Sequence, residues 1–177
     1  MPGTTLYIIG QALSVVAVLL GFATFQMKTV GRVLAMQIAT ASVFAAHYLL
    51  IGAYTAMGLN LLAAVKCVCY YIRDKRGDKS PVFPIVFTVL VLVTGVLTWS
   101  GWYSAFIVLG LMVNSVALAL SDPQKIRYAM FVKSPCCLVY NVLAGSLGGT
   151  IYEGASLLSS VIGTVKNVRK EKKNGKI

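Results

Sequence analysis

Seven stretches of the chain are almost continuously apolar, covering residues 5–25, 33–51, 56–72, 82–99, 103–120, 128–144 and 148–165. An α-helix rises ~1.5 Å per residue and needs ~20 mostly apolar residues to cross the hydrocarbon core of a bilayer. Each stretch therefore predicts a membrane-spanning helix, and the polar breaks between them predict the turns. The segment before the first stretch, Met1-Pro2-Gly3-Thr4-Thr5, carries no Lys or Arg. It lacks the basic start of a signal peptide, so the first helix is expected to be retained.

The breaks are of two kinds, and they alternate. Lys28 and Arg32 follow the first span; Arg73, Lys75, Arg76 and Lys79 follow the third; Lys125 and Arg127 follow the fifth; Lys166, Arg169, Lys170, Lys172, Lys173 and Lys176 follow the seventh. After the second, fourth and sixth come Gly52-Ala53-Tyr54-Thr55, Ser100-Gly101-Trp102 and Gly145-Ser146-Leu147, without any charge. Antiparallel spans thus put 14 of the 16 Lys and Arg on one side of the membrane and none on the other. The positive-inside rule then predicts a cytoplasmic C-terminus and an external N-terminus. Six spans would destroy the alternation. Tyr54, Trp99, Trp102 and Tyr103 gather at the uncharged ends, as an outer aromatic belt does.

Composition agrees and removes other classes. Hydrophobic residues make up 58% of the 177 and charged residues 12%, about half the charged share of a soluble domain. A single soluble domain of this length cannot bury so much apolar side chain. The net charge of +11 reads as orientation rather than as a nucleic-acid surface, because no soluble domain presents a basic groove and the C-terminal tail lacks interleaved aromatics. Cys67, Cys69, Cys136 and Cys137 lie in apolar runs without C-x-x-C spacing or a neighbouring His, which predicts reduced, buried thiols and no metal.

A repeat is visible within the odd number of spans. Gly10, Ser14, Ala17 and Gly21 in the first span and Gly110, Asn114, Ala117 and Ser121 in the fifth recur at steps of four, three and four, each giving one narrow face of small residues suited to close helix packing. Phe25-Gln26 with Arg32 then matches Pro123-Gln124 with Arg127; Gly52 stands eight residues before Asn60, and Gly145 eight before Glu153. The predicted fold is an all-α membrane protein, a single domain of two parallel three-helix repeats, residues 5–73 and 103–166, joined by a linker helix at 81–100 and followed by a basic tail at 167–177. Parallel repeats joined in this way recur among transporters.

The set Gly21, Phe25-Gln26, Lys28, Gln37, His47-Tyr48, Gly52-Ala53-Tyr54-Thr55, Asn60, Tyr140-Asn141, Gly145-Ser146, Gly148-Gly149 and Glu153 resembles the YgjV-type bacterial inner membrane proteins. That group looks like a branch of the superfamily of SWEET sugar transporters, SemiSWEETs, PQ-loop proteins and PnuC vitamin-precursor transporters. The resemblance covers about residues 10–165. It implies a three-plus-one-plus-three arrangement with the pathway between two triple-helix bundles. Two departures stand out: the PQ pair is present only as Pro123-Gln124, and spans one and five lack the hinge prolines such transporters use.

Ionisable residues within spans are expensive and so tend to face protein or water. This chain has four, His47, Lys66, Lys133 and Glu153. Distances from the predicted span ends place His47, Glu153 and Asn60 in the outer half. Glu153 begins a stripe with Ser156, Ser160 and Gly163 that suits either a pore lining or plain packing. The resemblance implies that Asn60 and Glu153 look across the pathway, with Glu in place of a sugar-binding Asn, which admits a cationic substrate or proton coupling. Gln37, Thr40, Phe44 and His47 give span two a partly polar face; a lone intramembrane His is expected as a hydrogen-bonded packing residue, whereas an imidazole within reach of Glu153 could couple a proton to transport. Tyr140 corresponds to His47, with Asn141 beside it. Lys133 is expected to snorkel to the cytoplasmic interface; Lys66 is a candidate for the inner end of the pathway, and neither is expected at the depth of Glu153. Pro135 is expected to bend span six.

The sequence thus predicts a small-solute transporter of the bacterial inner membrane working by alternating access. Glu153, Asn60, His47 and Tyr140 are the first candidates for the pathway, and Asn141 and Asn114 the second. A non-transporting scaffold or sensor is the alternative. No nucleophile, phosphate loop or cofactor site accompanies these residues, so neither an enzyme nor a cofactor is expected. The expected partners are the lipid bilayer, an unidentified small solute and anionic lipid at the C-terminal tail, with a homo-oligomer as a candidate assembly and no nucleic acid.

Overall fold

A computed structural model describes residues 4–24, 30–76, 80–119 and 123–173. Among them are seven α-helices and no strand: α1 (Thr4–Thr24), α2 (Val30–Leu50), α3 (Tyr54–Lys75), α4 (Val82–Leu97), α5 (Ser104–Ala119), α6 (Pro123–Leu143) and α7 (Leu147–Lys173). Phe25, Gln26, Lys28, Lys79, Ser121 and Lys176 lie outside the described residues. α1 and α3 are long and apolar enough to cross a membrane alone, over Thr4–Ala23 and Tyr54–Arg73, and shorter apolar segments fill α2, α4, α5 and α6. α7 continues as helix to Lys173, so the basic stretch begins as an extension of the last helix. α6 passes through Pro135 as one helix.

The outer surface is far more apolar than that of a soluble protein. Leu19, Leu97 and Leu158 are 64%, 79% and 65% exposed, whereas Ser14, Thr40, His47, Thr55, Ser104, Asn141, Ser146 and Glu153 are buried. An apolar outside suits a lipid solvent, and the interior combines an apolar cluster that includes Phe44, Leu59, Val91 and Ile107 with these polar groups, which in lipid only protein or trapped water can satisfy. Each helix packs on its neighbours in the chain and α1 packs on α7, closing a ring.

Two of the turns share one geometry. α2 ends with Ala53 N–H donating to Tyr48 O at 2.8 Å and Gly52 N–H to Leu49 O at 3.2 Å, with Gly52 at φ 77°. α6 ends with Ser146 N–H donating to Asn141 O at 2.9 Å and Gly145 N–H to Val142 O at 3.2 Å, with Gly145 at φ 69°. Both are Schellman caps, which need a residue at positive φ and so favour glycine.

The small-residue faces of α1 and α5 sit at different heights. A Cβ on Gly10 would meet Leu50 and Ile51 at the end of α2, whereas one on Gly110 would meet Lys133 O, Cys136 and Cys137 in the middle of α6. The pairing of Gly10 with Gly110 expected from equal spacing is therefore displaced by about two turns. Spacing alone fixes which face is small, not how far along the partner helix it packs.

The uncharged ends are tied together. The Tyr7 hydroxyl and Gln11 Nε2 donate to Gly145 O at 3.0 and 2.6 Å, and Leu147 N–H donates to Gln11 Oε1 at 3.2 Å. Thr55 Oγ1 donates to Thr98 O at 2.5 Å and lies 3.1 and 3.0 Å from the hydroxyls of Ser100 and Ser104. Tyr54, Trp99 and Trp102 are exposed at this end. At the other end Arg73 lies over the rings of Tyr70 and Phe83, 5.4 and 5.9 Å from their centroids.

Candidate functional site: a polar cavity between six helices

A cavity of about 430 Å³ lies inside the bundle, lined from every helix except α4. Regular helix positions build its wall: Gln37, Thr40, Phe44 and Tyr48 on α2; Asn60, Ala63, Lys66 and Tyr70 on α3; Met130, Lys133, Cys137 and Asn141 on α6. Steps of three and four keep each set on one helix face. Gly21, Asn114, Gly149, Tyr152 and Glu153 complete the surface used here.

Glu153 is held by Lys133, whose Nζ lies 2.5 Å from Glu153 Oε1, with the two side chains 12% and 9% exposed. This overturns the expectation that Lys133 snorkels to the cytoplasmic interface. α6 begins at Pro123 rather than near Tyr128, which puts Lys133 ten residues from either end of the helix. Glu153 stands six residues inside α7. Measured from the uncharged turn, the two Cα atoms differ in depth by about 6 Å at helical rise, a gap the lysine stem spans. Glu153 Oε2 is buried without a partner.

Lys66 is also mid-helix, twelve residues from the start of α3, and it lines the cavity. Its amine makes no ion pair among the described residues. Asn60 lines the cavity and donates Nδ2 to Ala56 O at 2.8 Å, within its own helix. Asn141 accepts from the Tyr48 hydroxyl at 2.6 Å, and Asn114 lines the wall from α5.

His47 and Tyr140 do not line the cavity. They lie, fully buried, in the layer between it and the uncharged turns. His47 Nδ1 is 2.7 Å from Gly10 O and Nε2 is 2.7 Å from Ser146 Oγ. Facing a carbonyl, Nδ1 carries the proton; Nε2 accepts from the Ser146 hydroxyl, which itself accepts from Gly149 N–H at 3.1 Å. Both nitrogens are used in joining α1, α2 and the start of α7, the packing arrangement expected of a lone intramembrane His, and neither is bonded to Glu153. The Tyr140 hydroxyl accepts from Ala56 N–H at 3.2 Å. Their helical positions are one residue before Tyr48 and Asn141, about 100° around the helix, which turns them from the cavity. Ser156 and Ser160 also stay out of the cavity, and Ser160 donates to Ser156 O at 2.9 Å.

Close approach at two glycines shapes this end of the site. A Cβ on Gly148 would overlap Ser14 of α1, and one on Gly149 would overlap the Asn141 amide and, at 2.6 Å, the Tyr48 hydroxyl. Sequence reasoning missed Lys133, Tyr48, Tyr70 and Tyr152 as lining residues. Lys133, Cys137 and Asn141 recur at steps of four, a signal present in the sequence. The cysteines are free thiols, and no cluster of three or more His, Cys, Asp or Glu suited to a metal occurs among the described residues.

A family model described as "Bacterial inner membrane protein" (Imp-YgjV) matches residues 8–171. The chain is similar to "Inner membrane protein YgjV" of Escherichia coli (strain K12), 26% identical over 169 residues that cover 96% of this chain and 90% of that protein. No solved structure matches. With the family match running from α1 into the basic end of α7, around the whole ring that encloses the cavity, the chain belongs to the Imp-YgjV family of bacterial inner membrane proteins.

Proposed function

We propose that this inner membrane protein is a small-solute transporter that exposes its cavity alternately to the two sides of the membrane. The cavity carries the reading: its volume falls within the ~300–1,000 Å³ typical of small-molecule sites, and the intramembrane Lys66, Lys133 and Glu153 all line it. It runs from Tyr48, Asn141 and Gly149 toward Gln37, Tyr70 and Met130, the ends of the helices that carry the cations. Beyond Tyr48 and Asn141 the layer of His47, Thr55, Ala56, Tyr140 and Ser146 is buried. The arrangement is that of a site open to one side and latched on the other. The positive-inside rule makes the open side cytoplasmic and the N-terminus external.

The shared register of the two Schellman caps, with Asn60 and Glu153 eight residues beyond their glycines, supports a three-plus-one-plus-three plan in which α4 links two repeats. That plan is the basis for relating the chain to SWEET-like transporters. A scaffold or sensor would require no such cavity, and no reaction chemistry is assigned to its residues. Reconstitution into proteoliposomes and uptake of sugars, amino acids, organic acids and polyamines tests the proposal; absence of uptake across the panel by folded protein would refute it.

A further inference from the structure

The charges in the cavity do not cancel. Lys133 and Glu153 neutralise one another at 2.5 Å, and Lys66, lining the same cavity from α3, has no ion-pair partner among the described residues. A lysine in the middle of a membrane helix is tolerated where water or a counter-ion can reach it. The neutral groups around the cavity leave hydrogen-bonding positions open for a solute. Gln37 Nε2, the Asn114 amide and Asn141 Nδ2 find no partner among the described residues, while Gln37 Oε1 is 3.6 Å from Cys67 Sγ and Asn141 Oδ1 takes the Tyr48 hydroxyl. Glu153 Oε2 and the amide oxygens of Asn60 and Asn114 are also without a partner among the described residues, so the open positions are of both kinds and the sign of the site is set by its charge, which is positive in excess. A cationic solute would find Lys66 and Lys133 around a carboxylate with a single open oxygen; a neutral solute would leave Lys66 uncompensated.

We infer that the cavity takes a small anionic solute rich in acceptor oxygens, with Lys66 as its charge partner and Gln37, Asn114 and Asn141 as neutral donors. The inference rests on reading the cavity as a transport site and replaces the cationic substrate that a lone Glu153 suggests. Lys133 and Glu153 then act as a fixed, internally neutral pair that shapes the wall, and the solute completes the neutralisation of the site.

Thermal unfolding of the full-length protein in detergent tests this, with sodium salts of lactate, succinate, gluconate and phosphate compared with glucose and putrescine at matched ionic strength. At least one anion is expected to raise the melting temperature in a saturable way. Lys66→Gln should weaken its half-saturating concentration roughly tenfold or more, and Lys66→Arg should retain most of the effect. No shift by any anion, a shift by glucose or putrescine alone, or equal anion stabilisation of Lys66→Gln would overturn the inference. Stabilisation by phosphatidylglycerol but by none of the soluble anions would assign the charge to a lipid headgroup and overturn it too. Uptake of the same panel into proteoliposomes separates the two readings. An anion that stabilises the protein but is not carried refutes transport and leaves the anion site; uptake of a neutral or cationic solute unaffected by Lys66→Gln leaves transport and refutes the anion site.

Discussion

Tyr48 and Asn141 occupy the same position in two helix ends, and they touch. Each carbonyl accepts the outer hydrogen bond of a Schellman cap, from Ala53 and Ser146 respectively, and the Tyr48 hydroxyl donates to Asn141 Oδ1 at 2.6 Å across 93 residues of sequence. When equivalent residues of two parallel units meet, the contact lies on the axis that relates them. In the proposed two-repeat plan this hydrogen bond lies on that axis, at the end of the cavity nearest the uncharged turns, where the proposed alternating access would part the bundle.

Tyr48→Phe removes the donor and keeps the ring that stacks on Phe44. In a variant retaining Cys67 as its one thiol, a membrane-impermeant thiol reagent is expected to react from the cytoplasmic side, because Cys67 lines the cavity. Labelling of Cys67 from the external side should be slow and should rise in Tyr48→Phe. External labelling faster than cytoplasmic labelling in the parent would reverse the assigned open side.

Lys133 and Glu153 should show strong coupling. Removing one partner of a buried pair costs about 3–5 kcal/mol, because the other charge stays buried. Lys133→Met and Glu153→Met should each lower thermal stability markedly, and the two together should recover much of the loss. Additive losses in a double-mutant cycle, read by unfolding in detergent, would show that the pair is not energetically coupled.

The glycines of α7 divide by surroundings. Gly149→Ala pushes a methyl into the Tyr48–Asn141 contact and Gly148→Ala into Ser14, whereas Gly154→Ala meets nothing within 4 Å. The first two are expected to destabilise by about 1–3 kcal/mol. Gly154→Ala should be neutral or stabilising by up to about 1 kcal/mol, as for a helix-interior Gly replaced by Ala. Equal effects at all three positions would contradict the packing described here.

His47→Leu should cost about 1–2 kcal/mol, within the range of intramembrane hydrogen bonds, by removing the Nδ1–H bond to Gly10 O and the acceptor of the Ser146 hydroxyl. If uptake is reconstituted, the shape of its pH profile should be unchanged in this variant. A lost or displaced pH optimum would return His47 to a role in proton movement.

Much of the fold was legible because a bilayer restricts the choices. Spans of ~20 apolar residues are nearly forced by backbone hydrogen bonding in lipid, and Gly52 and Gly145 announced two helix ends that need positive φ. The cavity was legible in part: Asn60, Asn114, Asn141, Lys66 and Glu153 line it as their polarity suggested. Depth and azimuth were harder. Moving the start of α6 from Tyr128 to Pro123 carries Lys133 from the inner margin to the helix midpoint. The partners of His47 come from α1 and the start of α7, and no local pattern on α2 encodes them.

The seam between α1 and α7 has a consequence for biogenesis. Around the ring each helix packs on the next in the chain, so a helix leaving the translocon finds a neighbour already waiting, until the last must find the first. A nascent chain halted before Leu147 would carry Lys133 without the carboxylate of Glu153, and α1 without the backbone of Gly148 against Ser14. Such a six-helix intermediate exposes a membrane-embedded charge, the kind of defect a quality-control protease can recognise. Insertion of α7 would remove that defect and complete the cavity in a single late step of synthesis.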